Sequence, residues 1–384
     1  MQEYFEFSLG ARVLYKAGLA RELGDVLDEL GVKRAFVVAD KGVAAAGLLA
    51  PVVEGLTSSV EVVGILDDVP PNSSVRVVEA GAEAVRAAAS DVIIAIGGGS
   101  PLDTAKGMRL LATHGGSVAD YEGYNVIPGR LMPMLAIPTT AGTGSEVTSI
   151  AVILDEADDR KISLVSRYLY PDIAILDPEL TLSLPPRLTA ATGMDALSHA
   201  IETYVSTENN PFSDSLALAA IDLIATHLRD AVQVGSDIEA RGKMLLASAM
   251  AGLAFSNSLL GVVHALAHAI GGKYHIHHGT LNALILPHAM QFNSVVASER
   301  YVRIAWAMGV HAGGRSDKEV IADGVNAVRT LAADCGLPIR LRDLDVPEEA
   351  LPELAALSVV EPAIFNNPRI ASEEELLELL RAMW

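Results

Sequence analysis

The first 178 residues alternate short, β-branched apolar runs with Ala-rich helical patterns, and this alternation limits the possible fold more than any other feature. The strand-like runs are residues 35–40, 62–68, 91–98, 134–140, 151–156 and 172–178. The helical patterns that separate the first four are residues 42–56, 75–89 and 101–113. Because a helix between two strands returns the chain to a parallel neighbour, the pattern predicts a mostly parallel sheet with helices on both faces.

The pattern changes near residue 180, where the proline-containing segment TLSLPPR is followed by helical patterns as far as Trp384. A chain of 384 residues is long for a single hydrophobic core. We therefore predict two domains, an α/β domain over residues 1–180 and an all-helical domain over residues 181–384. A cleft between two such domains is a natural location for a ligand.

Charge and composition exclude several classes of partner. The formal net charge of −20 argues against nucleic acid, whose phosphates require a basic surface, and it disfavours anionic membranes. No apolar run reaches the ~20 residues needed to cross a bilayer. The N-terminal segment MQEYFEFSLG has no basic region and no apolar signal core. The single cysteine, Cys335, fits a reducing compartment, so we predict a cytoplasmic protein.

A glycine-rich segment, VIIAIGGGSPLDTAKGM, runs from a buried strand into a helix. Ser100 is predicted to cap that helix, and Asp103 would complete a capping box. Glycines allow close approach of the backbone, and a helix start offers free N–H groups, so the segment favours a phosphate. It differs from the GxGxxG fingerprint, because the acidic residue Asp40 precedes the glycines instead of following them. A tight structural turn is the alternative.

A second loop, PTTAGTGSEVTS (138–149), is rich in hydroxyl groups that can bond a ribose, a phosphate or an amide. Taken alone it could be an ordinary surface loop. Two such loops after adjacent strands, however, would open at the same edge of the sheet. Lys161, in DDRKISL, could pair with a phosphate or a ribose, with a plain surface charge as the alternative.

Histidines cluster in the helical half, where five of the ten in the chain lie between residues 264 and 278. Asp195 and His199 are spaced i, i+4 and therefore share one helix face, as do His264 and His268. His275, His277 and His278 follow. A carboxylate with two or three neutral imidazoles suits zinc, iron or another first-row ion. Spacing does not separate His264 from His268, or His277 from His278.

Several segments together resemble the iron-containing (group III) alcohol dehydrogenase family. The matching segments are AIGGGSPLDTAKG, IPTTAGTGSEVT, LPPRLTAATGMDALSHAIE, the GVVHALAHAIGG…HHG block and FNNPR. The resemblance implies an N-terminal dinucleotide-binding α/β domain and a C-terminal helical domain with a metal site in the cleft. It also implies an NAD-linked alcohol dehydrogenase or aldehyde reductase that acts on a small alcohol or aldehyde, binds Fe²⁺ (Zn²⁺ being possible) and forms a homo-oligomer.

The resemblance also implies roles for particular residues. It assigns the metal ligands to Asp195, His199, His264 and His278. It places His268 beside the nicotinamide and the substrate, and it makes Phe255 an apolar pocket residue. The implied cofactor contacts are Asp40, Asn72, Gly98, Gly99, Ser100, Thr139, Thr140, Thr148, Lys161 and Leu180.

Two departures from the family pattern bear on these roles. His277 is an extra imidazole beside the last implied ligand, His278. Ile150 stands where some relatives have a polar residue, which would make that wall of the substrate pocket more apolar. A glycerol-dehydrogenase-like polyol enzyme and a sugar-phosphate cyclase are the enzymatic alternatives. The cyclase would need additional cations for its phosphorylated substrate, and near the histidines Lys243 and Lys273 stand almost alone. A nucleotide-binding scaffold with a structural metal is the non-enzymatic alternative.

Overall fold

The computed structural model describes residues 4–158 and 160–384. The chain forms two compact units. The first, here called the α/β unit, comprises Ser8–Thr140 and Gly144–Ser183. The second, here called the helical unit, comprises residues 4–7, Ala141–Thr143 and Leu184–Trp384.

Strands occur only in the first half of the described chain. They are β1 (Arg12–Tyr15), β2 (Arg34–Asp40), β3 (Glu61–Val69), β4 (Val92–Gly97), β5 (Gly123–Tyr124), β6 (Met134–Pro138), β7 (Ile150–Asp155), β8 (Arg160–Val165) and β9 (Ile173–Leu176). Six of them form a sheet in the order β1-β9-β6-β4-β2-β3, and every neighbouring pair is parallel. The predicted parallel sheet is therefore confirmed.

The helices of the α/β unit connect these strands. They are α1 (Gly24–Leu30), α2 (Lys41–Ala45), α3 (Leu49–Leu56), α4 (Val75–Ala87) and α5 (Gly99–His114). The helical pattern predicted over residues 42–56 is interrupted, because Gly47 between α2 and α3 has a φ of 71°. A left-handed backbone conformation ends an α-helix, and glycine adopts it without steric penalty.

The predicted strand at 151–156 exists as β7 but lies outside the main sheet. It pairs antiparallel with β8, and β5 completes a separate three-stranded sheet. Only residues 156–159 separate β7 from β8, and so short a connection allows a hairpin but not a parallel crossover. β8 was not predicted because its first two residues are both charged and exposed, which hides the alternation of exposed and buried residues along the strand.

The centre of the main sheet is buried on both faces. Alternate residues of β4 and β6 enter opposite core clusters: Ile94 and Ile137 lie in one, Ile93 and Ala136 in the other. Such strands read as continuous apolar runs because helices cover both faces. Each large side chain fully buried here stabilises the fold by about 1.5–3 kcal/mol. The core therefore fixes the register of Gly97 beside Pro138, from which both loops of interest depart.

The strand order reverses at the centre of this sheet. From β2 the chain passes to β3 on one side, and it then crosses back to β4 on the other side of β2. In open α/β sheets such a reversal leaves a crevice at the carboxyl ends of the two strands, where ligands bind. Asp40 ends β2 and Gly97 ends β4. A Cβ on Gly97 would lie 3.4 Å from Asp40 Oδ2, so the two strand ends are close together.

The helical unit contains the remaining α-helices. They are α6 (Pro186–Val205), α7 (Pro211–Gln233), α8 (Ile238–Ser258), α9 (Val262–Tyr274), α10 (His278–Asn293), α11 (Ser298–Ala307), α12 (Asp317–Asp334), α13 (Leu351–Ser358) and α14 (Glu373–Ala382). Every residue of α6 from Thr189 to Val205 is buried, and α7, α8 and α10 pack around it. A helix buried on all sides has no polar face for solvent, so polar side chains on α6 must find partners inside the protein.

No single helix in the described part of the chain is both long and apolar enough to cross a membrane. The helices α8 and α9 meet the length and composition criteria only as a pair, and they are bent by 101° relative to each other.

Candidate functional site

Four predicted metal-binding side chains come together in the helical unit. One ligand atom from each of Asp195, His199 and His264 lies within 4.8 Å of the others. His199 Nε2 is 3.8 Å from Asp195 Oδ1, and His278 Nε2 is 3.6 Å from the same oxygen. Asp195, His199 and His264 therefore form a tight group, and His278 approaches the same carboxylate oxygen from another helix.

Three helices supply these side chains. Asp195 and His199 lie one turn apart on α6, His264 is on α9 and His278 is the first residue of α10. The start of α10 touches the backbone of α6 at Gly279, where a Cβ would lie 2.2 Å from the carbonyl oxygen of Ala191. Only glycine permits this approach, and it places His278 beside Asp195.

Asn282 lies at the centre of the cluster and is fully buried. Its Nδ2 donates to Asp195 Oδ1 at 2.7 Å and lies 3.1 Å from His278 Nε2 and 3.3 Å from His264 Nε2. An amide nitrogen carries two protons and faces three acceptors here, so it cannot satisfy all of them at once. A divalent cation bound between these side chains would satisfy the acceptors that the amide leaves unpaired.

Glu202 fixes the orientation of His264. Its Oε2 is 2.5 Å from His264 Nδ1, and its Oε1 accepts from the backbone N–H of Val263 at 2.7 Å. A carboxylate at Nδ1 keeps the proton on that nitrogen and leaves the lone pair on Nε2 for a metal. Burial raises the pKa of Glu202 to about 8.

The electrostatics of the cluster suit a cation. Burial raises the pKa of Asp195, but the neighbouring imidazoles of His199 and His278 and the Asn282 amide together bring it below its ordinary value. Burial lowers the pKa of His199, which keeps that imidazole neutral and able to donate its lone pair to a metal. An ionised carboxylate with neutral imidazoles is a donor set that fits Fe²⁺ or Zn²⁺.

The other predicted residues of the helical unit lie around this cluster. The Phe255 ring is buried, with its centroid 4.5 Å from that of His199. His268 stacks on His278 with 5.3 Å between ring centroids. His277 is the N-cap residue of α10 and is exposed, unlike the buried Asp195 and His199.

In the α/β unit, the two predicted loops open at the same edge of the sheet. The backbone N–H of Thr139 donates to the carbonyl of Gly97 at 3.0 Å. A Cβ on Gly98 would meet Thr140 Oγ1 at 3.3 Å, so the glycine backbone lies directly against the hydroxyl loop. The helix α5 begins at Gly99, and its first N–H groups are available to an anion. This arrangement fits the pyrophosphate of a dinucleotide.

The predicted capping box at the start of α5 is wrong. The helix begins at Gly99 with Gly98 as its cap, so Ser100 and Asp103 lie inside the helix. Ser100 Oγ instead accepts from the backbone N–H of Asn72 at 3.2 Å, which brings two predicted cofactor residues together. Asp103 turns to the hydroxyl loop, where its carboxylate accepts from Ser145 Oγ at 2.6 Å.

A fully buried lysine joins α5 to the hydroxyl loop. Lys106 Nζ donates to Ser145 Oγ at 2.9 Å, to Thr148 Oγ1 at 3.0 Å and to the carbonyl of Ile150 at 2.7 Å. Burial lowers the pKa of Lys106 to about 8, and the Asp103 carboxylate, 3.9 Å away, opposes that shift. The predicted cofactor residue Thr148 is therefore part of a buried network that fixes the shape of the loop.

Two predicted cofactor residues, Lys161 and Leu180, are not part of these loops. Lys161 is exposed on β8 of the small sheet, opposite Leu154. Burial raises the pKa of Asp103, and the Lys161 charge is the weakest of the influences that oppose that rise. The Leu180 side chain is buried in the core cluster that also contains Ile175. The cofactor roles of Lys161 and Leu180 stay predictions.

Several residues that hold or contact the predicted site residues were not predicted from the sequence. Glu202 lies seven residues after Asp195, and Asn282 four after His278, so helical spacing alone could have placed each on the ligand face. Lys106 is part of a quoted motif but received no role. Glu361, which contacts His268, is 93 residues away along the chain, and no local pattern connects the two.

Comparisons with known proteins agree with this geometry. A family model described as iron-containing alcohol dehydrogenase matches residues 10–178, and one described as the C-terminal part of the Fe-containing alcohol dehydrogenase family matches residues 189–384. The 1,3-propanediol dehydrogenase of Citrobacter freundii is 41% identical over 361 residues, which cover 94% of this chain and 93% of that protein.

Two solved structures are also similar. The crystal structure of 1,3-propanediol oxidoreductase has a TM-score of 0.97 and 38% identity, and the match covers 100% of both chains. Sulfoacetaldehyde reductase from Bifidobacterium kashiwanohense, in complex with NAD⁺, has a TM-score of 0.90 and 31% identity. That match covers 100% of this chain and 99% of the reductase.

A parallel-sheet unit with a nucleotide edge and a helical unit with a carboxylate–imidazole cluster define a metal-dependent dinucleotide oxidoreductase. The chain belongs to the iron-containing alcohol dehydrogenase family. It is an NAD-linked oxidoreductase of alcohols and aldehydes, and its residues fit NAD and Fe²⁺. The predicted reaction class is thereby confirmed, and the polyol-enzyme, cyclase and scaffold alternatives are not favoured.

The close approach at Gly279 predicts that Gly279→Ala loses metal. The new methyl group would push α10 away from the Ala191 carbonyl and carry His278 away from Asp195, with a loss of about 1–3 kcal/mol in the free energy of unfolding. Metal content after dialysis, measured by mass spectrometry, should fall at least tenfold. Gly272→Ala is the matched control, because a Cβ there meets no atom within 4 Å. Wild-type metal content in Gly279→Ala would contradict this account of the site.

The buried lysine network predicts that Lys106→Met weakens NAD binding. Without Nζ, two hydroxyls of the loop and the Ile150 carbonyl lose their donor and the largely buried Asp103 loses its nearby cation, which costs about 3–5 kcal/mol of stability. NAD affinity, measured by calorimetry below the melting transition, should fall at least tenfold. Lys33→Met, at an exposed lysine of the same unit, should leave both quantities unchanged. Equal NAD affinity in the two variants would show that the network does not shape the cofactor loop.

Proposed function

We propose that this chain is a cytoplasmic, homo-oligomeric enzyme that uses Fe²⁺ and NAD to interconvert small alcohols or diols and their aldehydes. The observation that carries the proposal is the close approach of the buried Asp195, His199 and His264 and the partly exposed His278 around Asn282. The acidic composition and the single cysteine support the cytoplasm. The homo-oligomer is proposed from the family resemblance.

We assign the metal to Asp195, His199, His264 and His278. Two contrasts support this choice over the neighbouring imidazoles. His264 places a ligand atom within 4.8 Å of those of Asp195 and His199, whereas His268 is not part of that group. The His278 Nε2 atom is 3.6 Å from Asp195 Oδ1, whereas His277 is an exposed residue at the helix cap.

When bound, Fe²⁺ supplies a Lewis acid to the alcohol oxygen, and NAD supplies the acceptor for the hydride. The chain's own residues prepare both groups. Asp195 supplies negative charge that balances the cation, Asn282 holds that carboxylate in place, and Glu202 holds the His264 ring. His268 accepts the proton that the alcohol loses and passes it to solvent, since its ring is partly exposed.

The nucleotide is proposed to lie along the carboxyl edge of the main sheet. The N–H groups of Gly98, Gly99 and Ser100 would bind the pyrophosphate at the start of α5. The hydroxyls of Thr139 and Thr140 would bind nearby groups of the cofactor. Asn72 lies beside them, because its backbone N–H donates to Ser100 Oγ. Asp40 would accept from a ribose hydroxyl and repel a 2′-phosphate, which favours NAD over NADP.

The substrate is proposed to be short and largely apolar. Phe255 presents an aromatic ring beside His199. A relative named 1,3-propanediol dehydrogenase makes short diols the first compounds to test.

Metal reconstitution tests the proposed reaction directly. Metal-stripped protein should not oxidise NADH with short aldehydes, and anaerobic Fe²⁺ should restore that activity across a panel that includes 3-hydroxypropanal. His264→Ala should lose metal retention and turnover together, because it removes a ligand and leaves Glu202 without its partner. Full activity in that variant, or NADH binding without turnover of any aldehyde by the iron-loaded wild type, would overturn the proposal.

The position of Asp40 at the end of β2 predicts that Asp40→Gly relaxes the preference for NAD. Removing the carboxylate abolishes repulsion of the 2′-phosphate and one bond to the ribose, so the ratio of kcat/KM for NAD over NADP should fall at least tenfold. The comparison needs both cofactors with one alcohol at fixed ionic strength. Asp28→Asn, at an exposed carboxylate of the same unit, is the charge-matched control. An unchanged ratio in Asp40→Gly would remove Asp40 from the ribose site.

A further inference from the structure

Two imidazoles one turn apart on α9 each have a carboxylate at Nδ1. His264 Nδ1 is 2.5 Å from Glu202 Oε2, and His268 Nδ1 is 2.6 Å from Glu361 Oε1. In both pairs the carboxylate holds the proton on Nδ1 and leaves the lone pair on Nε2. The same chemical device is therefore used twice on one helix.

The two pairs differ in their access to solvent. The side chains of His264 and Glu202 are 2% and 3% exposed, whereas those of His268 and Glu361 are 27% and 23% exposed. A buried pair suits a permanent metal ligand. A partly exposed pair suits a group that exchanges protons with water.

Glu361 is itself held in place. Its Oε2 accepts from the backbone N–H of Ala363 at 2.8 Å, at the start of the short 3-10 helix Pro362–Asn366. One carboxylate oxygen is thus bound to backbone while the other faces His268. This two-point attachment fixes the direction of the Nδ1 hydrogen bond and, through it, the plane of the His268 ring.

We propose that Glu361 is the positioning residue for proton transfer, because it holds His268 in the tautomer whose Nε2 can accept a proton from the alcohol. The proposal rests on the proton-accepting role of His268 given above. In the oxidation direction the alcohol loses one hydride and one proton, and the proton is the part that Nε2 receives. Glu361 keeps its hydrogen bond to Nδ1 while Nε2 holds the proton, and water then takes that proton.

Replacement of the carboxylate by an amide tests this role. Glu361→Gln offers one oxygen to two donors, Ala363 N–H and His268 Nδ1–H, so it no longer enforces the tautomer. We expect the single-turnover rate of NADH formation to fall about 10- to 100-fold, the range typical when a carboxylate behind a functional histidine is lost. The KM for alcohol, the NAD affinity and the iron content should stay within twofold of wild type.

Chemical rescue separates this role from a structural one. Glu361→Ala leaves a partly exposed space beside Nδ1, and added formate should restore at least part of the lost rate, whereas formamide should not. Asp237→Asn removes another carboxylate that caps a helix, at the start of α8, and should leave the rate unchanged. Equal effects of formate and formamide would overturn the proposal.

A double-mutant comparison keeps the test decisive if either variant is unstable. Once His268 is replaced by Ala, adding Glu361→Gln should change the single-turnover rate less than twofold, because the two residues act as one unit. Additive losses would mean that Glu361 acts independently of His268 and would overturn the proposal. If the wild-type enzyme oxidises alcohols and the Glu361→Gln variant does so at the same rate, only this inference is overturned. A wild type that turns over no alcohol or aldehyde defeats the proposed function with it.

Discussion

The arrangement of the helical unit depends on the burial of one carboxylate, Asp195, within the core helix α6. An ionised carboxylate that is 3% exposed is strongly destabilising unless partners compensate it. Asn282 supplies one hydrogen bond, but the lone pairs of neutral imidazoles that face the carboxylate do not offset its charge. Only a cation completes this balance. The absence of a side chain at Gly279 allows α10 to come close enough for that purpose, so packing and metal chemistry share one cause.

The α/β unit uses a different solution for a similar problem. Its nucleotide edge is built from backbone, since glycines remove the side chains that would keep a phosphate away from the start of α5. Backbone loops need an internal support, and the buried Lys106 with Asp103 provides it by binding three groups of the hydroxyl loop. A buried lysine is destabilising unless its ammonium group is fully hydrogen-bonded. Only a loop conformation that supplies all of its acceptors is therefore stable.

The sequence predicted those features that depend on local spacing. The i, i+4 pairs Asp195–His199 and His264–His268 lie on helices as expected, and buried apolar runs form the central strands. Features that depend on contacts between distant segments were missed: Glu361 beside His268, and Asp103 turned from the helix cap to Ser145. The antiparallel β8 was missed because its exposed charges hide the alternation. The domain boundary at 180 and the roles of individual site residues stay predictions.

Iron K-edge X-ray absorption of the iron-loaded protein, compared with His277→Ala and His278→Ala, tests the central claim most directly. The account predicts one bound iron with three imidazoles and one carboxylate oxygen in the wild type. It predicts the same spectrum in His277→Ala and the loss of one imidazole in His278→Ala. Loss of an imidazole in His277→Ala, with an unchanged spectrum in His278→Ala, would contradict it.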